Sequence, residues 1–197
     1  MTLVIVNGES VANDSRAKMV QSAANLIGSQ GLNATSFSDV LASSGAPRGS
    51  IYFHFPGGKR ELAKDAIRLT SEQILTHIQA SSTRSPSEVL NHFVALFRHV
   101  VEASDGAAGC AVAGVTVDIP ATDDELLVDA REAFHSWVAL LAEQLETAGV
   151  DHESARDIAT IAVASVEGAL ILCRAERGSA PLDAVARQLK LLVESRN

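Results

Sequence analysis

The sequence predicts an all-α protein, and three observations carry that prediction. Hydrophobic residues make up 47% of the 197 residues, whereas Phe, Tyr and Trp together make up only 4%. Alanine and leucine, which are strong helix formers, supply much of that hydrophobic content, and strands prefer β-branched and aromatic residues. Apolar residues recur at spacings of three and four along nine segments separated by Gly, Pro and Ser. We therefore expect nine helices, three in a small N-terminal unit and six in a larger body.

The N-terminal unit is expected to begin with a helix that follows an irregular arm. Residues 1–13 show no helical period and are predicted to form a flexible arm. Asp14 or Ser15 is suited to cap the first helix, because a short side-chain oxygen accepts bonds from the free N–H groups of the first turn. The helix is expected to run to Gln30, where Gly31 ends it.

Two shorter helices follow, and the three together resemble a helix-turn-helix unit. Residues 35–38 offer capping side chains for a second helix that runs to Ala42. Gly45 breaks this helix, and Pro47 suits the first turn of a third helix, where its missing N–H is not needed. The Pro-Gly-Gly sequence at residues 56–58 stops the third helix.

The chain is predicted to divide into a helix-turn-helix domain at residues 14–58 and a helical body at residues 59–197. A long helix that begins at Lys59 and runs to Ala80 joins the two. The other helices of the body are expected at 89–101, 110–118, 123–147, 151–177 and 181–195.

The helix predicted over residues 151–177 differs from the others, because apolar or small residues occur nearly all round it. Between Ile158 and Cys173 its single charged residue is Glu167. Such a helix must be covered on more than one side, so we expect it to form a four-helix dimer interface with the final helix. The alternative is a central helix inside one larger bundle. The predicted interface residues are Ile158, Ala162, Ser165, Val166, Ala169, Leu170, Cys173, Leu189 and Leu192.

Positive charge is concentrated at the N-terminal end of an acidic chain. The formal net charge of −8 argues against a protein that coats nucleic acid with its whole surface. Residues 13–64, however, hold six Lys and Arg against three acidic residues, which is a local charge of +3. The basic end is therefore separate from an acidic body that carries −11.

The third helix and its flanks carry residue types that suit contacts with DNA. Arg48 suits bidentate bonds to guanine or to a phosphate. Lys59 combines its charge with the partial positive charge of a helix N-terminus. Ile51, Phe53 and Phe55 are expected to pack inside the unit. The predicted DNA contacts are Ser36, Ser38, Pro47, Arg48, Gly49, Ser50, Tyr52, His54 and Lys59.

Residues 15–65 resemble the N-terminal domain of the TetR/AcrR family of transcriptional repressors. The resemblance is carried by the first helix ending at Gly31, the Gly45 turn, and the motif of residues 49–55 followed by Lys59. The form A-P-R-G-S-I-Y-F-H-F-P-G-G-K, with a Gly-Cys pair downstream, is similar to the LmrA/YxaF-like branch of that family.

This resemblance implies a cytoplasmic, ligand-responsive repressor that binds a palindromic double-stranded DNA operator as a homodimer. Tyr52, His54 and Lys59 would mostly hold phosphates. Two recognition helices must lie about 34 Å apart, or a multiple of that, to enter major grooves on one face of B-DNA. A small effector in the body would shift the fourth helix and so release DNA. Neither a catalytic residue nor a cofactor is implied.

The effector pocket is expected inside the body, where apolar residues and few charges favour a hydrophobic or aromatic compound. His92 and His99 lie seven residues apart on one helical face, but the sequence places no third ligand beside them, so we expect no metal site. The alternative is that the aromatic residues of the body are ordinary core. The predicted pocket residues are Phe93, Phe97, Cys110, Phe134 and Trp137.

Two other classes of function remain as alternatives. A helical enzyme is disfavoured, because no nucleophile elbow, zinc motif or Gly-rich phosphate loop occurs in the sequence. A small-molecule-binding helical protein without DNA binding is disfavoured by the local +3 charge. The two cysteines are far apart and are expected to be reduced thiols, and no apolar stretch is expected to span a membrane.

Overall fold

The structure, a computed structural model, describes residues 8–47, 49–80, 85–120 and 124–194. These residues contain nine helices and no strand, which confirms the predicted fold class and helix count. The helices are α1 (Gly8–Gln30), α2 (Phe37–Ser44), α3 (Ile51–His54), α4 (Gly58–Gln79), α5 (Pro86–Ala103), α6 (Ala111–Asp118), α7 (Asp124–Thr147), α8 (His152–Glu176) and α9 (Ala180–Glu194).

The first two helices follow the capping chemistry of their termini. The backbone of α1 is already helical at Gly8, so this helix begins before Asp14 and Ser15, the residues predicted to cap it. Ser36 and Asp39 form a reciprocal capping box at the start of α2, and this pairing lowers the pKa of the Asp39 carboxyl. Gly45 ends α2 with a φ of 68°, in the left-handed region that favours glycine.

The third helix is shorter than predicted. It holds only four residues and begins at Ile51. The Ser50 N–H donates to the Pro47 carbonyl at 3.0 Å, so Pro47 lies in a turn before the helix and outside its first turn. Ile51 and Phe55 are fully buried, as predicted, and they anchor this short segment to the rest of the N-terminal unit.

The body packs around α4, α7 and α8. Helix α7 packs against α4 on one side and against α8 on the other, while α9 covers α5 and α8. Trp137 of α7 is fully buried, and its indole N–H donates to the Ser71 hydroxyl of α4 at 3.1 Å. This bond satisfies a polar group that would otherwise be costly in the core.

Helix α8 turns the predicted dimer residues inward, which corrects that prediction. Seven of the nine are buried within the protomer and cannot form its outer surface: Ile158, Ala162, Val166, Ala169, Leu170, Cys173 and Leu189. The sequence pattern could not choose between the two apolar faces of α8, and the packing of α7 and α9 on this helix decides it. The exposed face instead carries Ile161, Ala164, Gly168, Ile171 and Leu172.

Helix α8 is also long and apolar enough, by length and composition alone, to cross a membrane. This differs from the expectation that no stretch would reach that length. Of its most apolar window, 44% is buried inside the protein. A core helix passes the same test, so the finding is weak evidence for a membrane span.

Candidate functional site

Helix α3 exposes two aromatic rings beside the turn that precedes it. Tyr52 is 70% exposed and its ring meets that of Phe37 edge-on, with centroids 5.6 Å apart. Phe53 is 78% exposed, so the prediction that it packs in the core is wrong. A four-residue helix is too short for apolar spacing to reveal which residue faces outward. The outer face of α3 therefore offers a hydroxyl and a large apolar surface to another molecule.

The polar residues predicted to contact DNA lie around this face, except Arg48, which falls outside the described residues. The Ser36 hydroxyl donates to Asp39 at 2.6 Å, so its one proton serves the helix cap. The Ser50 hydroxyl donates to the Pro47 carbonyl at 2.7 Å. Ser38, Pro47, Gly49 and Ser36 are exposed, while Ser50 and His54 are half-buried.

Lys59 joins the start of α4 to the loop between α1 and α2. Its ammonium group donates to the Asn33 carbonyl at 3.2 Å. The Asn33 N–H donates in turn to the Asp118 carboxylate at 2.8 Å, and the Asn33 side chain donates to the Asp118 carbonyl at 3.2 Å. Asn33 is thus bonded both to the end of α6 and to Lys59, the residue predicted to bind phosphate. Asn33 and Asp118 are 85 residues apart, and no local pattern indicated the contact.

Arg16 fastens α1 to α3 and α4. Its guanidinium group lies 4.9 Å from the centre of the Phe55 ring and pairs with the carboxylates of Asp65 and Glu61. The contact of a cation with an aromatic face is energetically favourable, and the two carboxylates add ion pairs to it. The positive charge of Arg16 is therefore paired within the protein.

A cleft of about 600 Å³ lies between the N-terminal unit and the body. Helix α1 contributes the polar side chains of Gln21, Asn25 and Ser29 to its wall, and α4 contributes those of Thr70 and Gln73. Further wall residues come from both of these helices, from α5, from the 104–111 segment and from Leu170 of α8. No Asp, Glu, Lys or Arg is among the described residues of the wall. A ligand in this cleft would touch the DNA-binding unit directly. Sequence reasoning missed the α1 residues, because it assigned that helix wholly to the helix-turn-helix.

Two of the five predicted pocket residues line the cleft, namely Phe97 and Cys110. Phe93 and Trp137 are buried in the core, and Phe134 packs edge-on against Trp137 at 5.1 Å. None of these three residues lines this cleft, and Phe134 is half-buried at the edge of the core. Phe93 and Trp137 fit the alternative that the aromatic residues of the body are ordinary core.

His92 and His99, which the sequence places on one face of α5, have different neighbours in the structure. His99 lines the cleft, whereas His92 stacks on His77 of α4, with ring centroids 4.0 Å apart. Each of the two stacked rings donates its Nε2–H to the other residue's backbone carbonyl, at 2.8 and 2.9 Å. No cluster of three metal-ligating side chains occurs in the described part of the chain.

Helices α1 and α6 meet through glycines next to the cleft. A Cβ atom added at Gly28 would lie 2.6 Å from the Gly109 carbonyl oxygen, and one at Gly114 would lie 2.5 Å from the Ile27 carbonyl oxygen. Real Cβ atoms do not approach backbone so closely. The absence of side chains at these positions allows α6 to lie directly on α1, so that Cys110 reaches the cleft.

A buried acid lies behind the Cys110 end of the cleft. Both carboxylate oxygens of Glu167 are buried, and among the described residues they have no hydrogen-bond partner. The Cys110 thiol is a neighbour of this carboxylate, and the two groups interact electrostatically. Burial raises the pKa of Glu167 to about 7, and burial together with the Glu167 charge raises the pKa of Cys110 well above its usual range.

The arrangement of a three-helix unit on a helical body matches known proteins over almost the whole chain. Residues 20–66 match the family described as bacterial regulatory proteins, tetR family. Residues 86–188 match the family described as transcriptional regulator LmrA/YxaF-like, C-terminal domain. The second match alone covers more than half of the chain.

Relatives and solved structures agree with these matches. The HTH-type transcriptional regulator Rv0196 of Mycobacterium tuberculosis is 36% identical over 183 residues, which cover 90% of this chain and 93% of that protein. YxaF of Bacillus subtilis is 30% identical over 93% of this chain and 97% of its own length. A TetR transcriptional regulator from Legionella pneumophila superposes with a TM-score of 0.79 at 25% identity, covering 97% of this chain and 100% of the other. This chain therefore belongs to the TetR family of DNA-binding, non-enzymatic transcriptional regulators, in its LmrA/YxaF-like branch.

Proposed function

We propose that this protein is a cytoplasmic, ligand-responsive repressor that binds a palindromic operator as a homodimer and is released by a small hydrophobic effector. The observation that carries the proposal is the cleft, because its wall combines α1 of the DNA-binding unit with α4 and α5 of the body. A ligand that fits one arrangement of these helices better than another shifts the equilibrium between them.

The proposed DNA contacts centre on the exposed face of α3. The Tyr52 hydroxyl is free to reach a phosphate, and the exposed Phe53 ring offers apolar contact to a thymine methyl group or a sugar. Lys59 adds a positive charge at the start of α4, and its ammonium group has hydrogen-bonding capacity beyond its bond to Asn33. Ser38, Gly49 and the other described residues that are predicted to contact DNA surround this centre.

Helix α6 supports a route from the cleft to the DNA contacts. Its N-terminal residue Ala111 and the preceding Cys110 border the cleft, and its last residue, Asp118, bonds to Asn33. Asn33 in turn accepts a bond from Lys59. A displacement of α6 by an effector would therefore move a proposed phosphate ligand.

The proposed dimer uses the outer face of α8 and the adjoining face of α9. Ile171 is 70% exposed, and Leu172, Ile161 and Leu191 are also exposed. Ala164 and Gly168 lie among them and let a second helix approach closely. TetR-family regulators commonly function as dimers, and a second copy of this chain offers the same apolar face, as an isologous interface requires.

DNA binding is tested with a duplex that the wild-type protein selects from a random-sequence library. Tyr52→Ala and Lys59→Ala are each expected to weaken binding roughly tenfold or more, because each removes a phosphate partner. Lys59→Ala should also reduce the slope of log affinity against log salt by about two, one for each subunit. Arg131→Ala, which removes an exposed charge from α7, is the control. Unchanged affinity in both test variants would refute the proposed contacts.

The dimer is tested by sedimentation equilibrium. Ile171→Glu is expected to convert the dimer to monomers, because it places two like charges in an apolar interface. Val117→Glu is the matched control, since Val117 is 82% exposed on α6, away from α8. A monomeric wild-type protein, or an Ile171→Glu variant that remains dimeric, would contradict the interface.

Coupling between the cleft and DNA can be tested without knowing the effector. Ala103→Trp places a large side chain on the wall of the cleft, and we expect it to weaken operator binding by about 5- to 150-fold, the usual range of allosteric coupling. Ala139→Trp, on the exposed face of α7, should leave binding unchanged. Equal operator affinities for the two variants would argue against the cleft as the effector site.

A further inference from the structure

Glu167 has no role in the packing or the DNA contacts described above, yet it is the single charge in the apolar stretch of α8. An ionised carboxylate buried without a donor is costly, and proteins normally pair such a group or place it at the surface. Here both oxygens are buried, and among the described residues they have no hydrogen-bond partner. The carboxylate therefore has strong unused capacity to accept hydrogen bonds.

The position of Glu167 connects this capacity to the cleft. Cys110, whose thiol is a neighbour of the carboxylate, forms part of the cleft wall. Leu170, which lies three residues along α8 from Glu167 and hence on the same side of the helix, forms another part. The carboxylate does not itself line the cleft, but it lies next to Cys110, which does.

The residues of the cleft wall indicate which ligand charge the cleft favours. Its described residues are apolar or neutral amides and hydroxyls, apart from the titratable groups Cys110 and His99. No Lys or Arg among them would hold an anionic ligand, and the net charge of −8 repels one. A cation would meet a carboxylate in a site of low dielectric constant, where such a pairing is strong.

We propose that Glu167, reached past the Cys110 thiol, is the charge-recognition group of the cleft, and that the effector is a hydrophobic amine with one positive charge. The apolar part of the amine occupies the cleft, and its ammonium group donates to the Glu167 carboxylate. The inference rests on the proposed function in taking the cleft as the effector site, and the experiment separates the two.

The test compares two probes of nearly equal shape, 2-(1-naphthyl)ethylamine and 2-(1-naphthyl)ethanol, by isothermal titration calorimetry at pH 7. Wild-type protein is expected to bind the amine about 10- to 100-fold more tightly than the alcohol, because a charge-assisted bond replaces a neutral one. Glu167→Gln should reduce this preference to less than about threefold. Glu176→Gln, which removes an exposed carboxylate from the same helix, should retain it.

The Ala103→Trp variant locates the probes. If they occupy the cleft, this variant weakens both of them. Equal binding of amine and alcohol to the wild-type protein, with both weakened by Ala103→Trp, would overturn the role of Glu167 and leave the cleft as a binding site. Binding of neither probe, or binding that is insensitive to Ala103→Trp, would overturn the inference and also count against the cleft.

A second measurement on wild-type protein keeps the inference testable if Glu167→Gln does not fold. Glu167 is about half protonated at pH 7, so binding of the ammonium group should release about half a proton, whereas the alcohol should release none. Titrations in two buffers with different ionisation enthalpies measure this release. His99 also borders the cleft, and a His99→Gln variant that still releases the proton assigns it to Glu167. No proton release on amine binding would overturn the proposed pairing.

Discussion

Replacing Gly28 with alanine is expected to destabilise this protein, although the same change usually stabilises a helix. The added Cβ would lie 2.6 Å from the Gly109 carbonyl oxygen and 3.0 Å from its carbon, so α1 and α6 must separate by several tenths of an ångström. Overpacking of this kind costs about 1–3 kcal/mol, while helix propensity returns about 0.5–1 kcal/mol. The midpoints of these two ranges leave a net loss of about 1 kcal/mol, which corresponds to a fall in Tm of roughly 2–5 °C for a chain of this length.

Differential scanning calorimetry of the Gly28→Ala variant measures this effect. Gly178→Ala is the matched control, because no atom lies within 4 Å of its added Cβ and its φ is one that other residues adopt. Its Tm should stay constant or rise by a few degrees, since alanine restricts the unfolded chain. A Gly28→Ala variant as stable as the wild-type protein would show that the close approach of Gly28 to Gly109 is not required for packing.

Two further predictions concern the core and the buried acid. Trp137→Phe is expected to lower the free energy of unfolding in urea by about 1–3 kcal/mol, because it leaves the Ser71 hydroxyl without its indole donor and opens a small cavity. For Glu167, the pKa raised to about 7 means that the folded protein holds this proton more tightly than the unfolded chain. The free energy of unfolding should therefore fall by up to about 3 kcal/mol as pH rises from about 4.5 to about 7, and urea titrations should show a smaller fall for Glu167→Gln. A wild-type pH profile that matches that of Glu167→Gln would contradict this assignment.

The coupling between cleft and DNA unit follows from contacts that bridge long sequence separations. Asp118 reaches Asn33 across 85 residues, and Lys59 reaches Asn33 across 26. Each contact is modest by itself, because exposed hydrogen bonds contribute about 1 kcal/mol. Together they tie the end of α6 and the start of α4 to one loop of the DNA-binding unit. A ligand that moves α6 would therefore disturb both the Asp118–Asn33 contact and the Lys59–Asn33 contact.

Much of the fold could be predicted because it depends on local chemistry. The capping box at Ser36 and the left-handed conformation of Gly45 each depend on residues close by in the chain. As expected, α2 begins after Ser36 and ends before Gly45. Apart from the start of α1, the bounds of the long helices lie within three residues of those that apolar spacing predicts. Helix α3 was harder, because four residues are too few for a helical period, and Phe53 faces outward against expectation.

The fold class, the helix-turn-helix motif and the family could all be predicted from the amino-acid sequence, because periodicity, caps and short motifs are properties of neighbouring residues. The outward face of α8, the aromatic residues of the core and the position of the cleft depend instead on how the helices pack together. Ile158 and Ile171 have similar side chains, yet one is buried and the other is 70% exposed. Their difference arises from the helices that pack on α8, and such packing joins residues too far apart in the chain for any local pattern to record.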